Sequence, residues 1–312
     1  MPSKLISIGE LLIDFVGTKG IGLNQPFLYE KHPGGAPANV AYCVAKLGAQ
    51  SVLLTKLGQD DFGDYLVDVL KTGGVDVRYI KRTTEGNTSL AFVTVHEDGE
   101  RDFTFVRNPA ADLLLDKKDI DSTLFKKYDF LHFGSVNLVP SPSKKAHLFA
   151  IKLARKNRVT ISFDPNIRFN LWPDQALLKK TVMEFIPLAE LIKVSSEELT
   201  FLTDDPDEAS AVKKLFLGFV RFVAVTKGKD GVTFYTKRGS ISIPASTTHV
   251  VDTTGAGDAF LGGLLFRLMK KSNLSDDAEV YRDDLIFANK VAGYVVARKG
   301  AMSAMPSMAD LK

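Results

Sequence analysis

The sequence contains very little cysteine, since Cys43 is the only one among its 312 residues. A single cysteine cannot form an intrachain disulfide, and it cannot build the cysteine clusters that hold zinc or iron–sulfur centres. We therefore expect a reducing compartment, in the simplest case the cytoplasm. Long apolar runs are also missing, because no stretch approaches the ~20 residues that a membrane-spanning helix needs. We therefore expect no membrane partner, and Glu10 and Asp14, which interrupt the N-terminal apolar region, argue against a signal peptide.

An excess of charge of one sign is absent as well. The 40 lysines and arginines stand against 37 aspartates and glutamates, which gives a formal net charge of +3. Because this balance lacks the basic footprint of nucleic-acid-binding proteins, we expect no nucleic acid partner. The five histidines include no pair at i,i+4 spacing, so the sequence predicts no zinc site.

Short β-rich segments alternate with helix-length segments along most of the chain. The strand-like segments include 4–9, 130–133, 159–163, 191–194 and 222–225, and the helix-like segments include 37–47, 144–156, 208–216 and 283–296. The alternation predicts an α/β fold with a doubly wound, mainly parallel sheet and helices on both faces. A TIM barrel is the competing architecture at this length, but it does not explain two early insertions.

Two regions break the alternation, one near residues 11–31 and one near 88–107. Each has strand-like segments with no helix between them, and Asp98-Gly99 is a strong signal for a tight hairpin. Together they predict a small antiparallel β element, too small to hold a core alone. We expect it to act as a lid on a single domain spanning 1–312, and its open edge predicts a homodimer.

The segment from Val250 to Phe260 carries the most informative motif. Its glycines Gly255 and Gly257 flank Ala256, and an apolar helix follows directly. The first amides of a helix lack internal acceptors, so this turn predicts an anion site. Asp258 lies beside it, where a carboxylate suits removal of a proton from an attacking hydroxyl, although capping the helix is the simpler explanation. Neither a dinucleotide fingerprint nor a P-loop fits, because the required glycine and glycine-lysine positions are absent.

A second glycine cluster, Gly34 and Gly35, precedes the first predicted helix. These glycines allow close backbone approach to a ligand. Asn39, one turn into the helix, can both donate and accept hydrogen bonds, as a polyol requires. Asp14, isolated in an apolar strand, can accept from two neighbouring hydroxyls, although an exposed edge-strand aspartate is the plainer alternative.

With both clusters in place, the sequence resembles the ribokinase/fructokinase superfamily of carbohydrate kinases, and fructokinases most of all. The resemblance covers nearly the whole chain. Its signatures are segments 34–41 and 252–260, supported by 9–15, 107–112, 164–168 and 225–228. It implies a doubly wound α/β domain with a β-sheet lid and ATP-dependent phosphorylation of a sugar hydroxyl with Mg²⁺.

The resemblance also implies roles for individual residues. Asp258 is the base, and Gly255, Ala256 and Gly257 form the anion hole. The substrate-binding residues carried over from the family are Asp14, Gly34, Gly35, Asn39, Arg107 and Arg168, the arginines reaching substrate or phosphate. Thr226, Gly228 and Asn289 border ATP.

Two metal sites follow from the same resemblance. Glu198 holds the water shell of Mg²⁺ within Lys193–Glu198, where Ser195 replaces the family's usual asparagine. Asp252 and Thr254 bind a monovalent cation such as K⁺, opposite residues 298–303.

These observations predict a fructokinase that converts ATP and D-fructose to ADP and D-fructose 6-phosphate. The nearest alternative is another kinase of the superfamily, acting on 2-keto-3-deoxygluconate, ribose or a nucleoside, because segment 164–168 also resembles ketodeoxygluconate enzymes. A catalytically silent sugar-binding protein is the alternative from a different class. A nicotinamide-dependent dehydrogenase is disfavoured by the missing fingerprint.

Overall fold

The computed structural model of the chain describes residues 4–17, 28–95, 101–246 and 249–312. The strands are β1 (Lys4–Ile8), β2 (Leu12–Gly17), β3 (Tyr29–Gly34), β4 (Gln50–Leu54), β5 (Lys56–Gly58), β6 (Lys81–Thr83), β7 (Ser89–Val95), β8 (Arg101–Val106), β9 (Phe130–Gly134), β10 (Thr160–Asp164), β11 (Leu191–Ser195), β12 (Phe222–Thr226), β13 (Val232–Thr236) and β14 (Gly239–Ile243). The α-helices are α1 (Ala36–Lys46), α2 (Asp61–Thr72), α3 (Pro142–Lys156), α4 (Gln175–Phe185), α5 (Ser196–Thr203), α6 (Glu208–Leu215), α7 (Ala256–Leu268) and α8 (Arg282–Val296).

The main sheet follows the order β14-β13-β12-β11-β10-β9-β1-β4 in the described residues. The strands from β12 to β4 pair in parallel, whereas β13 and β14 add an antiparallel hairpin at one edge. The central strands are short apolar runs buried along nearly their whole length, as expected for a parallel sheet covered on both faces.

Helices cover both faces of this sheet because successive strand residues point to opposite sides. In β1, Leu5 packs into a core with residues of α1, α7 and α8. Its neighbours Ile6 and Ile8 pack into a second core with residues of α3, α4, α5 and α6. The predicted doubly wound α/β architecture is confirmed.

A separate small sheet has the order β3-β2-β7-β8 and lies within the two predicted insertions. Its hairpins β2–β3 and β7–β8 are antiparallel, and β2 joins them by pairing in parallel with β7. The predicted turn at Asp98-Gly99 and part of the 11–31 insertion lie outside the described residues. That the chain forms one domain over 1–312 stays a prediction.

The parallel strands place their carboxyl ends at one edge of the main sheet, where ligands bind in open α/β sheets. Asp164 ends β10, Ser195 ends β11 and Thr226 ends β12. Among the described residues, no helix combines the length and the apolar character that crossing a membrane would require.

Candidate active site

The glycine turn predicted as an anion site forms the N-terminus of α7. Gly255 is the N-cap residue, with φ of 76° and no side-chain cap on the helix. A Cβ on Gly255 would lie 2.6 Å from the Cβ of Ala301, so both the conformation and the space require glycine. The Ala256 amide donates to Thr253 O at 3.2 Å. Within the described part of the chain, the Gly255 and Gly257 amides have no acceptor and remain available to an anion.

Asp258 lies in the first turn of α7, and its carboxylate is hydrogen-bonded to helix α1, which also begins after a glycine. The Asn39 amide on α1 donates to Asp258 Oδ2 at 2.7 Å. Burial raises the pKa of Asp258 to about 6, partly offset by this hydrogen bond; Asp164 raises it further, and Lys193 and Arg168 lower it. The carboxyl is therefore ionised at neutral pH yet basic enough to accept a proton.

A cleft lies between the small sheet and the carboxyl edge of the main sheet. It brings together Asp14, Gly35, Asn39, Arg168 and Asp258, all of which the sequence analysis selected. The other lining residues are Glu10, Leu12, Ala36, Phe103, Phe105, Val136, Asn166, Leu171, Thr254 and Gly255. The mixture of carboxylates, an amide, an arginine and apolar walls suits a polyol.

Gly34 gives Asp14 the room to reach this cleft. A Cβ on Gly34 would lie 2.2 Å from Asp14 Oδ2, so a larger residue would displace the carboxylate. The close approach of these glycines to a ligand, which the sequence predicts, stays a prediction.

The Arg107 side chain is paired with other side chains of the protein. Its guanidinium forms an ion pair with Asp112 and bonds to Ser89 Oγ at 3.2 Å and to Asn137 Oδ1 at 3.1 Å. The arginine is not among the residues that line the cleft. The guanidinium is therefore already bound by the buried Asp112 carboxylate, in a charge-assisted hydrogen bond. Its contact with substrate or phosphate stays a prediction.

A second part of the cleft extends from Asp258 toward β11. It is lined by Phe103, Asn166, Arg168, Lys193, Ser195, Glu198 and residues 253–258. Glu198 forms a capping box with Ser195 at the start of α5 and also accepts from the Ile167 amide at 2.7 Å. These contacts fix the predicted magnesium residue at the cleft wall.

Within the described residues, no group of three or more histidine, cysteine, aspartate or glutamate residues could hold a metal by itself. Magnesium bound to a nucleotide usually takes only one or two carboxylates, with waters and phosphates completing its shell. Glu198 fits that role because it is a carboxylate in the cleft lining, and each of its oxygens accepts only one hydrogen bond from the described residues.

Asp252 organises the loop before the anion turn. Its Oδ1 accepts from the Thr254 amide at 2.8 Å and from Thr254 Oγ1 at 2.7 Å, and its Oδ2 accepts from the Gly300 amide at 2.9 Å. The stretch 298–303 thus lies opposite Asp252, where the resemblance places it. An oxygen-rich loop of this kind fits a monovalent cation, which stays a prediction.

The predicted nucleotide-bordering residues are not among the residues that line the two described parts of the cleft. Thr226 pairs in register with Ser195 at the end of the neighbouring strand. Gly228 has φ of 54° and open space around its Cα. Asn289 on α8 donates to Ile243 O and Pro244 O, which fastens α8 to β14. Their contacts with ATP stay predictions.

Three residues in or beside the cleft were missed from sequence: Glu10, Asn166 and Lys193. Asn166 has a positive φ of 43° in the turn after β10, an arrangement that asparagine tolerates. Its place in segment 164–168 was the available signal. Glu10 and Lys193 stand in otherwise apolar strand regions, and their burial depends on residues distant in sequence.

Comparisons with known proteins agree with this geometry. The chain matches the pfkB family carbohydrate kinase model over residues 2–308. Probable fructokinase-5 of Arabidopsis thaliana is 41% identical over 308 residues, covering 98% of this chain and 95% of that protein. Fructokinase from Xylella fastidiosa with bound ATP has a TM-score of 0.91 at 32% identity, covering 100% of this chain and 97% of that one.

A further solved structure is a fructokinase double mutant from Vibrio cholerae O395 in a form bound to fructose, ADP and a potassium ion. Its TM-score is 0.89 at 32% identity, covering 99% of this chain and 97% of that one. Together these comparisons confirm the resemblance that the sequence predicted, including its class of activity, transfer of phosphate to a sugar hydroxyl.

Proposed function

We propose that this chain, which belongs to the pfkB carbohydrate kinase family, transfers the terminal phosphoryl group of ATP to D-fructose, giving D-fructose 6-phosphate and ADP. One observation carries the proposal. The Asp258 carboxylate lines both parts of the cleft, the part with Asp14 and Asn39 and the part with the Gly255–Gly257 turn. A base between a polyol site and an anion site is what phosphoryl transfer to a sugar needs.

In the reaction, Asp258 takes the proton of the sugar hydroxyl while the hydroxyl oxygen bonds to the terminal phosphorus. The bond from that phosphorus to its bridging oxygen breaks, and the electron pair leaves with ADP. The Gly255 and Gly257 amides donate to the transferring group, where one such donor is worth about 3–4 kcal/mol of barrier. The Asn39 amide keeps Asp258 directed at the hydroxyl.

Sugar recognition uses the part of the cleft below the small sheet. Asp14 and Asn39 offer acceptors and donors to the hydroxyls, and Arg168 adds a cation at the same wall. Phe103 and Phe105 on β8 stack with ring centroids 6.0 Å apart and face the cleft. This aromatic cover excludes water, which limits wasteful hydrolysis of ATP.

Two cations complete the proposed site. Glu198 would hold magnesium through water, and when bound the ion neutralises charge on the nucleotide phosphates. Asp252 and Thr254 would hold potassium, the ion named with the Vibrio cholerae structure. In this chain those two residues fix the loop that leads into the anion turn.

We also propose a homodimer in the cytoplasm. In the described residues, β3 and β8 are the outer strands of the small sheet, and outer strands leave backbone groups unpaired. The single cysteine supports a reducing compartment. A monomer in sedimentation velocity at micromolar concentration would contradict the dimer.

The test is an ADP-release assay with fructose, ribose, 2-keto-3-deoxygluconate and a nucleoside under identical conditions. We expect fructose to give the highest kcat/KM, and phosphorus NMR to place the phosphate on the 6-hydroxyl. Preference for another acceptor would make the chain a different kinase of this family. Fructose binding in calorimetry without ADP release would indicate a silent sugar-binding protein.

A further inference from the structure

Lys193 is a buried cation next to the anion turn, and the proposed mechanism has given it no role. It lies on β11 with its side chain 9% exposed, and its Nζ is 3.1 Å from Asp164 Oδ2, whose side chain is 2% exposed. Burying an ammonium costs free energy even when it is paired, and apolar residues in its place are often as stable. A buried Lys193–Asp164 pair therefore suggests a role beyond stability.

The ammonium points at the glycine turn. A Cβ built on Gly257 would lie 2.9 Å from Lys193 Nζ, so the ammonium lies where a side chain at this position would begin, next to the Cα that carries the amide. Lys193 also lines the same part of the cleft as Gly255, Gly257 and Asp258. An anion that accepts from the Gly257 amide would therefore meet the ammonium at the same time.

The surrounding charges keep Lys193 protonated. Burial alone would lower the pKa of Lys193, but Asp164, Glu198 and Asp258 together raise it above its usual range. An ammonium has three N–H donors. Within the described part of the chain, its ion-pair partner is the single carboxylate of Asp164, which leaves donors for a ligand.

We propose that Lys193 is a catalytic residue that donates to an oxygen of the terminal phosphoryl group of ATP at the Gly257 amide, and that Asp164 is the positioning residue that holds its ammonium there. This inference rests on the proposed phosphoryl transfer. Lys193 stays protonated throughout, because the sugar proton goes to Asp258 and the electron pair of the broken bond goes to ADP. The ammonium offsets negative charge on the oxygens of the phosphoryl group while it is transferred.

The first experiment measures binding without any sugar. Calorimetry compares a non-hydrolysable ATP analogue with ADP, in the unaltered protein and in Lys193→Met. We expect the unaltered protein to bind the analogue more tightly than ADP, and the variant to lose at least tenfold of that preference while its Kd for ADP changes less than threefold. An unchanged preference overturns the proposal. Because no turnover is involved, this result is independent of which sugar is phosphorylated.

The second experiment measures turnover with the best acceptor found. Lys193→Met should lower kcat by about 10²–10³-fold, the usual effect of removing one donor to a developing charge, with KM for the sugar within threefold. The matched control is Lys56→Met, which removes another buried ion pair, Lys56–Asp119 at 2.6 Å, outside the cleft. That control should keep kcat within threefold.

A paired variant protects the test against misfolding. Lys193→Met combined with Asp164→Asn removes both charges together, so no unpaired carboxylate is left buried. It should fold and still lack the preference for the analogue. Asp164→Asn alone should keep part of that preference, because the ammonium remains but is no longer held. Full preference in the paired variant would overturn the proposal.

Discussion

The two glycine-led helices of the cleft, α1 and α7, look alike in sequence but present different N-termini. Both have a glycine N-cap with positive φ and no side-chain cap. At α1 the protein supplies its own acceptor, since the Ala36 amide donates to Glu10 Oε1 at 3.1 Å. At α7 the Gly257 amide has no such acceptor among the described residues, and Asp258 stands in the first turn. A glycine turn at a helix N-terminus can therefore bind an external anion only where no carboxylate of the protein already accepts from its amides.

In the proposed function, α1 contacts the sugar and α7 contacts the phosphate. The Asn39–Asp258 hydrogen bond connects the two helices at the point where the substrates would meet. Substitutions at each helix should therefore separate effects on sugar binding from effects on turnover.

The largest expected effect comes from Asp258→Asn on α7. Loss of the base should lower kcat by about 10²–10⁴-fold, while ATP binding by calorimetry survives because the turn is intact. Asp61→Asn is the control, since Asp61 occupies the first turn of α2 and is exposed. Near-normal turnover in Asp258→Asn would remove Asp258 from the mechanism.

The next largest effects come from alanine at the two N-cap glycines, which should affect different kinetic constants. Gly255→Ala would bring a Cβ within 2.6 Å of Ala301 and distort the turn, so kcat should fall by about 10–100-fold with the sugar KM little changed. Gly35→Ala would bring a Cβ within 2.5 Å of Glu10 O and should mainly raise the sugar KM.

The control for this pair is Gly48→Ala, because Gly48 has φ of 94° and no atom within 4 Å of a built Cβ. It reproduces the backbone strain, about 1–2 kcal/mol, without the contact. If the two cleft variants showed the same pattern of kcat and KM, the contrast between α1 and α7 would be wrong.

The smallest effect is on stability, at Glu10. Burial raises the pKa of Glu10 to about 7, with its own backbone amide, Arg107 and the Ala36 amide lowering it and Asp112 raising it. A carboxyl with a raised folded-state pKa favours folding most when protonated, so stability is lost as pH rises from about 4.5 through 7.

Glu10→Gln should therefore unfold with nearly the same free energy as the unaltered protein at pH 5 and with about 1–2 kcal/mol more at pH 8. Urea unfolding at both pH values measures the difference. A variant that is less stable at pH 8 than at pH 5, relative to the unaltered protein, would show that α1 stabilises the ionised carboxylate.

Much of the fold was predictable because its signals are local. Short β-rich segments such as 130–133 and 191–194 predict strands, and glycine turns such as Gly255–Gly257 predict where helices begin. The hairpin β13–β14 was not anticipated, because Val232–Thr236 and Gly239–Ile243 carry strand signals that do not state which sheet edge they extend.

The sequence motifs of the site were predictable, whereas ion pairs between residues far apart in sequence were not. Asp258, Asn39 and Asp14 stand out in sequence, and the structure brings them together. A lysine inside a strand reads as an edge position, and the burial of Lys193 depends on Asp164, which lies on the neighbouring strand. The Arg107–Asp112 ion pair was likewise not predictable, since a motif does not show which side chains are in contact.

The most direct measurement is a crystal structure with fructose and a non-hydrolysable ATP analogue. We predict that the terminal phosphate lies within about 3.2 Å of the Gly255 and Gly257 amides, and that a fructose hydroxyl lies at the same distance from an Asp258 carboxylate oxygen. A terminal phosphate bound instead at the N-terminus of α1, or a sugar whose hydroxyls do not reach Asp258, would contradict the account.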